Sequence, residues 1–300
     1  MMLPAKGWQV LRCPQCGGGL LRGHAELTCA ACAARFVDAS DGNLDLRLRT
    51  PKRVLLEFEL GTAPVAPGFD FGRLQPNPRP EVDFNGVEPL WHLTEELRSY
   101  FPKARHRGAI ALDLGCGSGL HREICERAGF QWVGVDYSDP HAPILGDGHA
   151  LPLADASVQF VLSLAVLEHI RYPFVVAREV MRVLQPGGIY IGSVSFLEPF
   201  HGDSYYHHTH LGAYNTLASA GLEVLRVAPH ASWSGLRAQA TMSGLFPRMP
   251  EWMSTSLVWP LETLHRFWWR LGALFSDKAS ETTRLCTNTG SFEFVARKPG

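Results

Sequence analysis

Two groups of residues in this chain have types and spacings that could do chemistry. The first is "CPQCGGGLLRGHAELTCAACAARF", in which Cys13 and Cys16 form one C-x-x-C pair and Cys29 and Cys32 a second. Two cysteines three apart in a tight turn can aim both thiolates at one ion, and a second pair closes a four-sulfur shell suited to structural zinc. Gly17 and Gly18 suit the knuckle turn, and His24 reads as a solvated loop residue. A redox pair would need βαβ surroundings that this segment lacks. The second group is "AIALDLGCGSGLHREI", where Asp113 precedes Gly115, Gly117 and Gly119 directly after an apolar run. Three glycines in five residues imply a tight turn or a closely approaching ligand.

The elements that must position these groups follow from the pattern of the rest. The runs "IALDL", "WVGVD", "PILGD", "VQFVLSLAV" and "GIYIGSVSF" alternate with the helical patterns "GLHREICERAG" and "PFVVAREVMRVLQPGG". Such alternation predicts an α/β fold with a parallel sheet and helices on both faces. Ligands of such sheets bind beyond the carboxyl ends of the strands, where the glycines fall, and Asp136 ends the second run about 20 residues later, placed for a ribose diol. A dinucleotide fingerprint would need glycine at position 120, which is Leu120. The G-x-G-x-G spacing fits a nucleoside without a pyrophosphate better.

In series, "LDLGCGSG", "VGVDYS", "GDGHALPLADASVQFVLSLAVLEHI" and "VMRVLQPGG" resemble the successive motifs of class I S-adenosylmethionine-dependent methyltransferases, from about Ala109 to Val227, with a last strand at "SFEFVARK". The resemblance implies a Rossmann-like, mostly parallel sheet of seven strands. It also implies S-adenosylmethionine as cofactor, with Gly115, Gly117 and Gly119 admitting its methionine part and Asp113 supporting that loop. Asp136 with Tyr137 would hold the ribose side. Asp147 and Gly148 would meet the adenine, and Leu164 would approach the sulfonium. Cys116, Cys125 and Cys286 are assigned no chemistry.

For the acceptor, His169 in "LEHI" is a candidate base, with helix capping or packing as its structural alternative. Glu168 and His169 also resemble the last two ligands of a metal-binding ExxEH element in some methyltransferases, but the first position is Ala165. The cluster "HGDSYYHHTHLGAYNTLASAG" offers His207 and His208 as further bases or acceptor contacts. His201, Tyr205, Tyr206 and His210 are acceptor-binding candidates, and Thr209 could cap the helix that follows.

The chain of 300 residues reads as a zinc ribbon over 1–49, a Pro/Gly-rich linker or arm over 50–87 and a methyltransferase domain over 88–300. "EPLWHLTEELRSYFP" has helical spacing at the start of that domain. About sixty residues, roughly 230–288, are inserted before the last strand. They carry Trp233, Trp252, Trp259, Trp268 and Trp269 with Arg266 and Arg270 interleaved. This insert could be an extra helical layer, a dimer interface, a lid over an apolar acceptor or a face resting on a membrane. The net charge of −1 gives no bulk attraction to nucleic acid, and Arg47, Arg49, Lys52 and Arg53 form only a modest basic run. The first residues lack a secretory signal pattern and no run is long enough to span a membrane, so a cytoplasmic protein is expected. The expected activity is methylation of a small, apolar or amphipathic acceptor, on oxygen more readily than on nitrogen or carbon. An RNA methyltransferase that docks RNA with its ribbon is the alternative, and a non-catalytic partner protein that keeps the fold is a further one. The pattern does not reveal the oligomeric state.

Overall fold

Alternate residues of the first long strand serve two different cores. Ile110, Leu112 and Leu114 pack on one face of the sheet, and Ala109 and Ala111 on the other. This period of two is what a strand buried on both faces requires. The structure, a computed structural model, describes residues 5–24, 26–37, 43–61, 65–88, 90, 92–242 and 244–300. Residues 62–64 of the expected arm, and Pro89 and Trp91 of the expected helix beside it, lie outside the described residues.

The chain opens with helix α1 (Ala5–Val10) and strands β1 (Leu20–Arg22), β2 (Glu26–Cys29) and β3 (Arg35–Val37), which form an antiparallel sheet in the order β1-β2-β3. This unit is anchored to the rest of the molecule. Leu11, Leu27 and Phe36 belong to the same apolar core as Ile110 and Val133. Arg12 donates its N–H to the Pro152 carbonyl at 3.0 Å, and Ala154 to that of Val10 at 2.8 Å.

The larger sheet is built from β4 (Leu44–Asp45), β5 (Ile110–Leu114), β6 (Gln131–Asp136), β7 (Ile144–Leu145), β8 (Val158–Leu164), β9 (Leu184–Ser195), β10 (Glu223–Pro229) and β11 (Ser291–Arg297). Its order is β10-β11-β9-β8-β5-β6-β7-β4, and β11 runs antiparallel to both of its neighbours. The seven expected strands are present, but the sheet has eight. The extra one, β4, comes from the end of the N-terminal segment and pairs in parallel with β7 through Leu44 and Asp45. Its flanking N–H groups, on Leu44 and Leu46, bond to Pro143 and Leu145, and both leucines are buried. A two-residue strand is too short to show a period.

Helices α3 (Arg122–Arg127) and α4 (Pro173–Val183) follow β5 and β8, and α5 (His210–Ala218) precedes β10. Thr209 caps α5 by accepting from the Gly212 N–H at 3.1 Å. The helix expected around 88–101 is shorter than its apolar spacing suggests. Among its described residues only α2 (Glu95–Arg98) is helical, started by the Thr94 hydroxyl accepting from Leu97 N–H at 3.0 Å. The insert folds as α6 (Gly235–Thr241), the long α7 (Glu251–Ala273) and α8 (Glu281–Asn288). Among the described residues, no helix is long and apolar enough to cross a membrane.

Candidate functional site

The glycine loop leaves β5 through Gly115 at φ +72°, Gly117 at +50° and Gly119 at +88°. These are left-handed conformations that cost other residues energy. At Gly115 space is limiting as well: a Cβ there would lie 2.4 Å from Val166 Cγ2. Asp136, at the end of β6, ties two loops together. Its Oδ2 accepts the Gly117 N–H at 3.1 Å, and its Oδ1 accepts those of Ser138 and Asp139 at 2.9 Å each. After β7, Asp147 Oδ1 accepts from His149 N–H at 2.9 Å and lies 2.6 Å from His149 Nδ1. Burial pushes the Asp147 carboxyl up, but these two bonds outweigh it and hold the group below the usual range. The Tyr172 N–H points at His149 Nε2 at 3.1 Å, so Nε2 accepts and the ring's proton sits on Nδ1.

These loops wall a cavity of about 1060 Å³. Gly115, Asp136, Tyr137, Asp147 and Gly148 line it, as do His169 and Tyr205. Asp113 does not. It is buried behind the loop, accepts from Trp132 Nε1 at 3.0 Å, and is pushed up to about 7 by burial, which that bond only partly offsets. Gly117, Gly119 and Leu164 also stand outside the lining. At the end of β8 the wall is made by Ala165 and Val166 instead. The five remaining histidine and tyrosine candidates, His201, Tyr206, His207, His208 and His210, are not in the lining. His207 Nδ1 donates to the Phe196 carbonyl at 2.8 Å. His208 is buried, which lowers it to about 4. His210 packs its ring on Phe71 and Phe292, and Tyr206 is exposed.

His201 lies behind His169, with ring centroids 5.1 Å apart. Glu168, His169 and His201 each offer one ligand atom within 4.8 Å of the others, so these three residues could hold a metal ion. Glu168 is fully buried. Burial pushes it up to about 7, against the lowering effect of the Ser195 hydroxyl 2.6 Å from its Oε1. That hydroxyl is also 2.6 Å from Glu198 Oε2 and has one proton for two carboxylates, so a protonated Glu168 satisfies both contacts. His169 is half-buried. Desolvation, then the neighbouring His201, lower its affinity for a proton and favour the neutral imidazole.

The roof of the cavity was not legible as a binding element. Leu48, Lys52, Val54 and Leu56, from the end of the ribbon segment and the start of the arm, close over it. This stretch has no regular secondary structure, and only the every-second-residue spacing of Val54 and Leu56 hinted at a side turned inward. Lys52 also donates from Nζ to the Pro14 carbonyl at 3.0 Å, which ties the roof to the first cysteine turn. Arg171, Tyr172 and Asp203 complete the wall beside His169. Among the described residues, none of the insert lines the cavity.

In the ribbon, Cys13, Cys16, Cys29 and Cys32 place their sulfurs within 4.8 Å of one another. The Cys13–Cys32 and Cys16–Cys29 separations are 3.7 and 3.4 Å. A tetrahedron with Zn–S bonds of about 2.3 Å has sulfur–sulfur edges of about 3.8 Å, so the group fits zinc. Burial raises the Cys29 thiol, but the N–H groups of Cys32 and Ala31 and the neighbouring cysteines outweigh it and bring it down to about 6. Burial holds Cys13 up at about 12. A Cβ on Gly18 would lie 2.9 Å from Cys29 Sγ, so this glycine keeps the sulfur cage open.

Residues 112–192 match the methyltransferase domain family. An uncharacterized methyltransferase of Mycolicibacterium gilvum is 28% identical over 195 residues, covering 55% of this chain and 73% of the relative. One from Mycobacteroides abscessus is 34% identical over 128 residues, covering 37% of this chain and 49% of its own length. A solved methyltransferase in complex with the Haloferax volcanii Trm112 methyltransferase activator aligns with a TM-score of 0.45 and 21% identity, over 70% of this chain and 90% of that one.

Proposed function

This chain carries an S-adenosylmethionine-dependent methyltransferase domain, and we propose that it methylates a small, apolar or amphipathic acceptor, on oxygen in preference to nitrogen or carbon. The observation that carries this reading is the cavity. Its volume of about 1060 Å³ lies just above the range of about 300–1,000 Å³ for ligand pockets, which leaves room for a second ligand beside the cofactor. When bound, S-adenosylmethionine supplies an electrophilic methyl group. Gly115 would let the backbone approach its methionine part, Asp136 and Tyr137 would hold the ribose, and Asp147 and Gly148 the adenine side. The tight packing of Gly115 on Val166, and the acidic residues Asp136 and Asp147 in the cavity lining, fit that group.

On the acceptor side, His169 stands among Asp203, Tyr205 and Tyr172 under the apolar roof of Leu48, Val54 and Leu56. Methyl transfer is largely a matter of positioning. A hydroxyl acceptor also has to lose a proton, and neutral His169 is placed to take it. The ribbon holds the roof through Lys52 and Pro14, which gives a structural zinc a part in shaping the acceptor site. The RNA alternative is weakened because Arg47 and Arg49 are both paired with Asp45, at 2.9 and 3.4 Å.

The test is incubation of purified protein with methyl-labelled S-adenosylmethionine and host-cell extract, followed by separate counting of RNA, protein and organic-soluble fractions. Label in the organic-soluble fraction, lost in His169→Ala, is the expected result. Ribonuclease-sensitive label would replace this reading with the RNA one.

A further inference from the structure

Helix α7 leaves most of its apolar side chains in solvent. The side it turns to the protein carries the buried Ser254 and Val258, with Thr255, Glu262, His265, Trp269 and Gly272 half-buried along the same stripe. Glu262 accepts from the Ser234 hydroxyl and lies 3.9 Å from the Arg237 guanidinium. The rest of the helix surface faces solvent with Leu257, Leu261, Leu264, Phe267, Trp268 and Leu271, and Phe275 continues it beyond the helix end. Exposure reaches 59% at Leu264, 67% at Trp268 and 83% at Phe275. A water-facing helix of a globular protein has the opposite pattern, and a continuous apolar face of this kind marks an interaction surface.

The charges say which surface. The far edge of this exposed surface, across the helix from Leu257, Leu261 and Trp268, carries the exposed Trp252, Trp259, Arg266 and Arg270. Arg266 and Arg270 also act unfavourably on the nearby Arg284, whose own partner is Glu281 at 3.7 Å. The group therefore holds cations that repel one another and would be relieved by an anion. Tryptophan and arginine at the edge of an apolar stripe are the arrangement of a helix lying in a lipid–water interface. A second copy of the chain would add the same positive charge, whereas an anionic bilayer neutralises it. The helix is about 34 Å long at 1.5 Å per residue and carries Glu262, Arg266 and Arg270, so it would lie on the bilayer and not cross it.

We propose that the outer face of α7, with Phe275, docks the protein on an anionic lipid bilayer, the apolar side chains entering the acyl boundary and Arg266 and Arg270 meeting lipid phosphates. This surface is separate from the cavity, whose lining includes none of the described residues of the insert. The proposal stands whichever acceptor the enzyme uses.

The test uses the full chain in co-sedimentation with two kinds of vesicle, phosphatidylcholine alone and equal parts phosphatidylcholine and phosphatidylglycerol. The expected result is sedimentation with the anionic vesicles, weakened by salt. Both Leu264→Glu/Trp268→Glu and Arg266→Glu/Arg270→Glu should reduce partitioning about ten-fold or more. These exposed positions should leave the circular dichroism spectrum and S-adenosylmethionine affinity unchanged, which separates lost docking from lost folding. Three results overturn the proposal: no sedimentation with either vesicle, equal sedimentation with both, or a stable dimer in light scattering that Leu264→Glu/Trp268→Glu dissociates.

Discussion

Substitution of Gly115 by alanine is the sharpest probe of the cofactor loop, because two separate penalties can be worked out for it. The backbone at Gly115 has φ +72°, where an L-residue costs about 1–2 kcal/mol. The added methyl would also lie 2.4 Å from Val166 Cγ2 and 2.9 Å from Cγ1. Overpacking of this kind costs about 1–3 kcal/mol, so Gly115→Ala should lower the unfolding free energy by about 2–5 kcal/mol. The methyl has to push Val166 aside. Val166 lines the cavity, and its carbonyl accepts the His169 N–H at 2.9 Å at the start of the turn that carries His169. Cofactor affinity should therefore fall along with stability. Urea denaturation measures the first effect and isothermal titration with S-adenosylmethionine the second.

The companion variant is Gly115→Ala/Val166→Ala, compared with Val166→Ala alone in a double-mutant cycle. It removes both Cγ atoms but leaves the backbone conformation, so it should recover the steric part and retain about 1–2 kcal/mol of loss. The reasoning is refuted if Gly115→Ala unfolds at the wild-type urea midpoint, or if Val166→Ala recovers none of the loss.

Three other expectations follow from the site and its supports. The ribbon should hold one equivalent of zinc by elemental analysis. Cys29→Ser should lose the metal and lower the thermal midpoint, and zinc affinity should weaken in acid because the ligating thiols must be deprotonated; full zinc retention by Cys29→Ser would contradict the four-sulfur site. His169→Ala should lower kcat about 10²–10⁴-fold. Because desolvation depresses this imidazole below its ordinary range, it stays neutral as pH falls through that range, so the acid limb of kcat should lie below pH 6.5. An acid limb that survives in His169→Ala would assign it to another group. His208, depressed from 6.5 to about 4 by burial, stays neutral when folded while the unfolded chain takes up a proton. Stability is therefore lost as pH falls from 6.5 toward 4, with about 2 kcal/mol gone by pH 5. His92 is depressed in the same way, and Asp113, Glu168 and Glu293 are raised to about 7, so the test is the difference between wild type and His208→Gln. The change in unfolding free energy between pH 7 and pH 5 should be less favourable in wild type by about this amount, and equal changes would remove His208 as a contributor.

What could be read from the sequence was whatever chain order and local spacing determine. The alternation through 109–114, the glycines after it and the acids at 136 and 147 are each fixed by position along a strand, and the sheet places Gly115, Asp136 and Asp147 at one rim. Side-chain direction in an irregular segment is not fixed that way. The density of histidines between 201 and 210 suggested a shared acceptor site, yet His207 and His208 are turned inward, His207 by its bond to the Phe196 carbonyl and His208 by the bond from its own N–H to the Ser195 carbonyl. The roof formed by Leu48, Val54 and Leu56 depends on contacts across the fold and left almost no local pattern.

The insert shows the same limit from the other side. Its helical spacing was plain, but spacing gives the angle between residues on a helix and not which face meets the protein. The inner face of α7 is shared by Val258 and Trp269 with polar groups that have partners of their own. Glu262 is held by Ser234, and the preceding residue, Trp233, donates from Nε1 to Glu198 Oε1 at 2.7 Å. Glu198 shares the Ser195 hydroxyl with Glu168, the neighbour of His169. The polar side of α7 is therefore tied by hydrogen bonds to the layer directly behind the cavity wall. That attachment selects which face of α7 meets the protein and leaves the apolar side chains of the other faces exposed.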